Sequence, residues 1–124
     1  EYKKIKVIGV DPYGSILGGG TETYPYKVEG IGYDFFPDVL DNKLIDQYIK
    51  VNDENSFSTA KNLIKKEGLL IGGSSGTAMY AAIEAAKDLN ENQTCLVILP
   101  DSIRNYLSKF VDDNWMKKNS FKEK

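Results

Sequence analysis

Four stretches of the chain have the apolar pattern of β-strands. Residues 3–10 (KKIKVIGV) are rich in β-branched side chains and lead into the turn-forming residues 11–14 (DPYG). Residues 44–51 (LIDQYIKV) partly alternate between apolar and polar positions, as in a half-buried strand. Two continuous apolar runs are typical of strands covered on both faces: residues 69–71 (LLI) and 94–99 (TCLVIL).

The apolar spacing changes to that of helices between these stretches. A first helix after residue 52 carries one apolar face, with Asn52 or Asp53 as a cap and Gly68 suited to its end. A second helix, over residues 75–89, is rich in alanine, which suits close packing on a sheet. A third begins after residues 100–102 (PDS). The order predicts an α/β fold, a parallel sheet with flanking helices and right-handed crossovers.

A glycine-rich turn joins the short apolar run to the second helix. Residues 67–77 (EGLLIGGSSGT) combine a helix end, a strand, the turn and a new helix start. Such a turn brings backbone N–H groups and a serine hydroxyl close to a ligand at the positive end of a helix. We identify Ser74 and its glycine neighbours as the first candidate site. A plain strand-to-helix turn capped by serines explains the local pattern equally well.

Two more segments are candidates, each with a structural alternative. Residues 30–34 (GIGYD) predict a sharp turn that approaches a ligand, or a packing turn with a half-buried tyrosine. Residues 100–104 (PDSIR) predict a site beside a strand end, or a helix cap with Arg104 paired to a carboxylate.

The composition of the chain excludes several kinds of catalytic and binding site. A chain of 124 residues with 41% hydrophobic residues predicts one globular domain. Its net charge of -2 does not indicate binding to nucleic acid or to an anionic membrane. No apolar run approaches 18 residues, which favours a cytoplasmic protein without a membrane span. Histidine is absent, so this chain alone forms no Ser-His-Asp triad, Cys-His pair or histidine zinc site, and we predict no metal. The single cysteine, Cys95, is predicted to be a buried inert thiol.

The combination of motifs resembles the later part of the catalytic core of the cystathionine β-synthase family. Its relatives are the cysteine synthases and other fold-type II pyridoxal phosphate (PLP) enzymes, which are tryptophan synthase β-like with a three-layer architecture. The resemblance covers nearly the whole chain. It rests on residues 10–17 (VDPYGSIL), 28–35 (VEGIGYDF), 53–54 (DE), 67–76 (EGLLIGGSSG), 98–110 (ILPDSIRNYLSKF) and 115–116 (WM).

The resemblance implies a role for each candidate residue. Ser74 would hydrogen-bond the pyridine nitrogen of PLP, and Tyr33 beside Gly32 would face the amino acid substrate. The remaining cofactor-binding positions line the ring or let the backbone approach it: Gly30, Gly72, Gly73, Pro100 and Asp101.

The resemblance also implies the reaction, in which serine condenses with homocysteine to give cystathionine and water. It does not decide haem content or regulation by S-adenosylmethionine. Residues 1–116 would be the C-terminal portion of the catalytic core, residues 117–124 a linker or tail, and the complete enzyme a homodimer or higher oligomer.

The family's Schiff-base lysine lies in an N-terminal motif, with a serine before it and an aspartate or arginine after it. We find no such motif here, nor the family's asparagine-bearing substrate loop or its phosphate loop. The chain begins with Glu1. We therefore expect a fragment that lacks a catalytic residue of its own and is inactive alone. Two alternatives are a cysteine synthase-like enzyme that uses sulfide and a truncated, non-catalytic binding chain.

Overall fold

A computed structural model describes residues 5–122. Two parallel strands, β1 (Ile8–Pro12) and β2 (Gln47–Val51), pair in the register Ile8 to Gln47 through Pro12 to Val51. Three α-helices follow: α1 (Asp53–Glu67), α2 (Gly73–Ala86) and α3 (Asp113–Lys118). Single 3₁₀ turns lie at Asn42–Leu44 and Ile103–Asn105. This α/β arrangement of a parallel sheet with flanking helices confirms the predicted fold class, and none of the described helices is long and apolar enough to cross a membrane.

Helix α1 forms where the apolar spacing predicts it. The Asn52 side chain accepts a hydrogen bond from the N–H of Asn55 at 2.8 Å, which satisfies a donor that has no partner within the helix. Gly68 ends the helix with φ of 67°, a left-handed conformation that costs glycine little. The prediction for α1 is therefore confirmed at both ends.

Helices α1 and α2 pack closely because glycines face α1. A Cβ on Gly76 would lie 2.0 Å from the carbonyl oxygen of Ser56 and 2.8 Å from the Cβ of Ala60. The Thr77 hydroxyl donates to Ser56 Oγ at 2.8 Å, which satisfies two buried hydroxyls in the same contact. The glycine-rich turn thus serves the packing of the two helices as well as the start of α2.

An aromatic core lies against α1 and the C-terminal residues. The Phe57 ring stacks on the Phe110 ring with centroids 5.4 Å apart. The ring centroids of Trp115 and Phe121 each lie 5.4 Å from that of Phe57 as well. Because Phe121 takes part in this cluster, packing continues beyond residue 116. The division of the chain at that residue stays a prediction.

Three predicted elements differ in the structure. Residues 94–99 form no strand among the described residues, and Leu96 and Ile98 are 86% and 73% exposed, because no second strand lies beside them to take their hydrogen bonds. Cys95 is consequently exposed, so the prediction of a buried thiol is wrong. Among the described residues, the predicted strand at 69–71 forms only an isolated β-bridge, between Ile71 and Ser102. The predicted third helix is reduced to the 3₁₀ turn at Ile103–Asn105.

Candidate functional site

The site centres on the first turn of α2. Gly72 occupies the capping position without a side-chain hydrogen bond, and Ser74 and Ser75 follow it in buried positions. The first N–H groups of a helix have no carbonyl partner within the helix and form its positive end. The turn therefore offers unpaired donors and a buried hydroxyl to a polar or anionic group.

Asp101 lies directly against this turn. Its backbone carbonyl accepts a hydrogen bond from the Gly72 N–H at 3.1 Å. A Cβ on Gly72 would come within 1.9 Å of Asp101 Oδ1, so only glycine leaves room for the carboxylate at that position. The structure thus brings together two segments that the sequence identified separately, the turn that contains Gly72 and Ser74 and the segment that contains Asp101.

The Tyr106 hydroxyl donates to Asp101 Oδ2 at 2.5 Å. This hydrogen bond, then burial, then the negative charge of Asp101 itself raise the pKa of Tyr106 to about 12. Because the pKa is higher in the folded state, the stability that the neutral tyrosine contributes is complete below pH 10, the unfolded pKa, and is lost as the pH rises towards 12. The pair is intact throughout the neutral range.

Two buried polar atoms at the turn have no partner among residues 5–122. They are Ser75 Oγ and Asp101 Oδ1. A buried acceptor without a hydrogen bond destabilises a fold by about 1–3 kcal/mol, and most buried polar atoms are therefore paired. An orphaned carboxylate oxygen beside a helix start is the observation in this structure that points to a missing donor, such as one on a bound molecule.

The segment with Gly30, Gly32 and Tyr33 is a loop that hydrogen bonds hold to β1. The Ser15 hydroxyl, just after that strand, donates to the Tyr33 carbonyl at 3.1 Å and accepts from the Tyr33 N–H at 3.0 Å. Gly32 has φ of 78°, and a Cβ there would lie 2.6 Å from Pro12 Cγ. By contrast, a Cβ on Gly30 would meet nothing within 4 Å, so the space beside Gly30 is open.

An open cavity of about 440 Å³ adjoins this loop. Gly32 and the half-exposed ring of Tyr33 line it together with Tyr24, Tyr26 and Asp34. Burial, followed by the negative charges of nearby aspartates, raises the pKa of Tyr26. The two residues predicted to bind substrate, Gly32 and Tyr33, line this cavity, whereas the residues of the turn at Gly72 do not.

The loop and the start of α2 share one core. Val28 of the loop, Ile71 before the turn and Tyr106 belong to the same buried cluster. An ion pair joins Glu29 to Lys109 across the same interface. The structure thus places the loop with Tyr33 and the turn with Ser74 around one core. Pro100, which was predicted to line the cofactor, is exposed beside Asp101.

Asp53 is a supporting residue whose only role predicted from the sequence was that of a possible helix cap. Its carboxylate accepts from the N–H groups of Lys27 and Val28 at 2.6 and 2.9 Å and so joins the loop to the start of α1. Ser15 was missed because its partners lie 18 residues away, and no local pattern marks such a contact. The ion pair of Asp11 with Lys50 was missed too, although Asp11 directly follows one predicted strand and Lys50 lies near the end of another.

Asp53→Ala should destabilise the protein by about 2 kcal/mol, because it leaves two backbone donors of the loop without their charged acceptor. Chemical denaturation of the complete protein would measure the change. Asp38→Ala, on an exposed turn, serves as the control and should change stability little. Equal stability of the two variants would contradict the role assigned to Asp53.

Comparison with known proteins shows the family of the chain. The sequence model of the family described as "Pyridoxal-phosphate dependent enzyme" matches residues 1–101. Mouse cystathionine β-synthase is 57% identical over 121 residues, which are 94% of this chain and 22% of the mouse protein. The chain therefore spans less than a quarter of that relative's length.

Two solved structures have the same fold. The O-acetylserine dependent cystathionine β-synthase of Helicobacter pylori matches with a TM-score of 0.78 at 48% identity, over 85% of this chain and 34% of that one. The cysteine synthase of Entamoeba histolytica matches with a TM-score of 0.80 at 33% identity, over 86% of this chain and 32% of that one.

Proposed function

Because the chain belongs to the family of pyridoxal-phosphate dependent enzymes, we propose that it is the C-terminal part of a catalytic core that condenses serine with homocysteine. The products would be cystathionine and water. The observation that carries this proposal is the buried Ser74 at the glycine-lined start of α2, in a chain 57% identical to a cystathionine β-synthase over 94% of its length. PLP is the cofactor of this family.

The residues at the turn fit the ring of that cofactor. Gly72 and Gly73 leave room for Asp101 and Phe57, which pack against the start of α2, and Ser74 would hydrogen-bond the pyridine nitrogen of the ring. When bound, PLP supplies an electron sink that allows a substituent on the β-carbon to leave. A neutral serine does not hold a proton on the ring nitrogen as an aspartate would. Ser74 would thereby favour replacement at the β-carbon over transamination.

Tyr33 would act on the substrate side. Its ring is 50% exposed and lines the open cavity, and Ser15 fixes its backbone on both sides. A tyrosine held by its backbone, with a half-exposed ring that packs beside Phe35, suits a group that orients or gates an amino acid. Gly30 and Gly32 would shape the loop that brings this ring towards the cofactor.

The lysine that binds the cofactor covalently would come from sequence outside residues 1–124. The apolar residues left exposed here support a further part of the fold that covers them. Leu70, Leu96 and Ile98 are 61–86% exposed, and exposed apolar side chains in a strand-like segment are typical of a surface that pairs with another segment. We infer that the N-terminal part of the enzyme and a second subunit complete the site.

The test is a product assay on the protein expressed from its complete coding sequence, with residues 1–124 alone as the control. Serine, homocysteine and PLP should yield cystathionine with the complete protein and none with residues 1–124, as detected by mass spectrometry. Cystathionine formation by residues 1–124 would contradict their inactivity. Failure of the complete protein to form cystathionine from serine and homocysteine would contradict the proposed reaction.

A second candidate activity is supported by the resemblance to solved structures. One of them is a cysteine synthase that matches with a TM-score of 0.80. In this alternative, sulfide replaces homocysteine and the product is cysteine. The same assay can be run with serine or O-acetylserine, in the presence of either homocysteine or sulfide. The mass of the product, cystathionine or cysteine, would separate the two activities.

A further inference from the structure

We propose that Ser15 is a positioning residue for the binding of the amino acid substrate. Its hydroxyl holds the backbone of Tyr33 and thereby fixes where the Tyr33 ring lies in the open cavity. This inference rests on the proposed function, because the amino acid that the Tyr33 ring would contact is a substrate of that reaction. No role was predicted for Ser15 from the sequence.

The Ser15 hydroxyl contacts both polar groups of the Tyr33 backbone. It accepts a hydrogen bond from the Tyr33 N–H at 3.0 Å and donates to the Tyr33 carbonyl at 3.1 Å. The carbonyl has a second donor, the Ile16 N–H at 3.0 Å, whereas the Tyr33 N–H has no other acceptor among residues 5–122. Because Ser15 is 2% exposed, loss of its hydroxyl would leave this N–H unsatisfied where water has little access.

A buried ion pair fixes Ser15 from the other side. The Lys50 ammonium group donates to Asp11 Oδ2 at 2.9 Å and also to the Ser15 carbonyl oxygen. The same Asp11 oxygen accepts from the Gly18 N–H at 2.8 Å. Hydrogen bonds to charged groups are stronger than those between neutral groups. Ser15 is therefore held between two charged residues on one side and the Tyr33 backbone on the other.

The loop that carries Tyr33 depends on such a contact because two glycines precede the tyrosine. Gly30 and Gly32 have φ of 81° and 78°, and glycine loses more conformational freedom on folding than any other residue. Hydrogen bonds from outside the loop are what select one of its backbone conformations. The Tyr33 ring lies 4.9 Å from that of Phe35 and lines the cavity of about 440 Å³. Fixing the backbone therefore limits where this ring can meet a substrate.

Steady-state kinetics of the complete protein measures the effect on substrate binding. Ser15→Ala removes only the hydroxyl, and we expect it to raise the KM of serine or of homocysteine about tenfold, the equivalent of one hydrogen bond. The kcat and the dissociation constant of PLP should stay unchanged, because the hydroxyl contacts residues 17 and 33 and not α2. Unchanged KM values for both substrates would overturn the proposal.

Ser58→Ala is the matched control. Ser58 is buried as well, and its hydroxyl donates to the Asn55 carbonyl at 3.3 Å within α1. This variant removes the same chemical group without altering the contacts of Tyr33, so its KM values should be those of the wild type. An equal rise of KM in both variants would show that lost stability causes it, and would overturn the role of Ser15.

Hydrogen exchange of the Tyr33 amide tests the same contact without catalysis. In the complete protein, followed by NMR, Ser15→Ala should speed this exchange about tenfold, and Ser58→Ala should leave it unchanged. An exchange rate equal to that of the wild type would overturn the proposal. If Ser15→Ala does not fold, the wild-type amide decides: protection supports the role of Ser15, and exchange at the rate of an unstructured peptide overturns it.

A double-mutant cycle tests whether Ser15 acts through the Tyr33 ring. In a Tyr33→Ala background, Ser15→Ala should raise the KM no further, because there is no ring left to position. A further rise of about tenfold in that background would overturn the proposal.

The outcomes separate this inference from the function on which it rests. If the wild-type protein forms cystathionine and Ser15→Ala retains the wild-type KM values, the role of Ser15 falls and the proposed reaction stands. If the wild-type protein forms no cystathionine, the proposed reaction falls. A faster exchange of the Tyr33 amide in Ser15→Ala would then still support Ser15 as the residue that positions the loop.

Discussion

Gly76→Ala should destabilise the protein by about 3 kcal/mol, because the new methyl group meets backbone that cannot move aside. Its Cβ would lie 2.0 Å from the Ser56 carbonyl oxygen and 2.8 Å from the Ala60 nitrogen, and both atoms belong to α1. To relieve the overlap, α2 would have to move away from α1 and displace the turn that carries Ser74. Denaturant unfolding of the complete protein would measure the loss.

Gly68→Ala is the matched control for this change. Gly68 ends α1 with φ of 67°, and a Cβ there would meet nothing within 4 Å. This variant adds the same methyl group without a steric overlap. The left-handed backbone alone should then lower the free energy of unfolding by about 1 kcal/mol. If Gly76→Ala were no more destabilising than Gly68→Ala, the close packing of the two helices would not be what requires glycine at residue 76.

Ser74→Ala should weaken PLP binding to the complete protein by about 10- to 100-fold, because the ring nitrogen loses its hydrogen-bond partner. The fold should persist, since the substitution adds no atoms to a buried position. Titration of the protein with PLP, followed by absorbance, would give the affinity. A loss of β-replacement activity should accompany the loss of cofactor.

Ser75→Ala is the control one residue further along the same helix. Its Oγ is fully buried and has no hydrogen-bond partner in the described residues, so its removal should leave stability equal or slightly higher. Its PLP affinity should be that of the wild type. Equal effects of the two serine substitutions would contradict the assignment of the ring nitrogen to Ser74.

Elements whose determinants are local were predictable from the sequence. Helix α1 has its cap at Asn52, its terminating Gly68 and its apolar face within 17 residues, and the structure confirms all of them. The strand β2 likewise lies inside the predicted stretch. The start of α2 was predicted because glycines and serines mark a helix start directly.

Features that depend on distant partners were not predictable. The apolar run at residues 94–99 has the composition of a strand, but a strand also needs a neighbour, and in the described chain none lies beside it. The contact of Asp101 with Gly72 could not be seen because the two residues are far apart in sequence. No role was predicted for Tyr106 from the sequence, and its hydrogen bond to Asp101 emerged from the structure alone.

The most direct measurement is a crystal structure of the complete protein with PLP bound. We predict that the pyridine nitrogen lies within hydrogen-bond distance of Ser74 Oγ at the start of α2, with Asp101 on the same side of the ring. A ring bound elsewhere, or a ring nitrogen that contacts another residue while Ser74 faces the protein core, would contradict it.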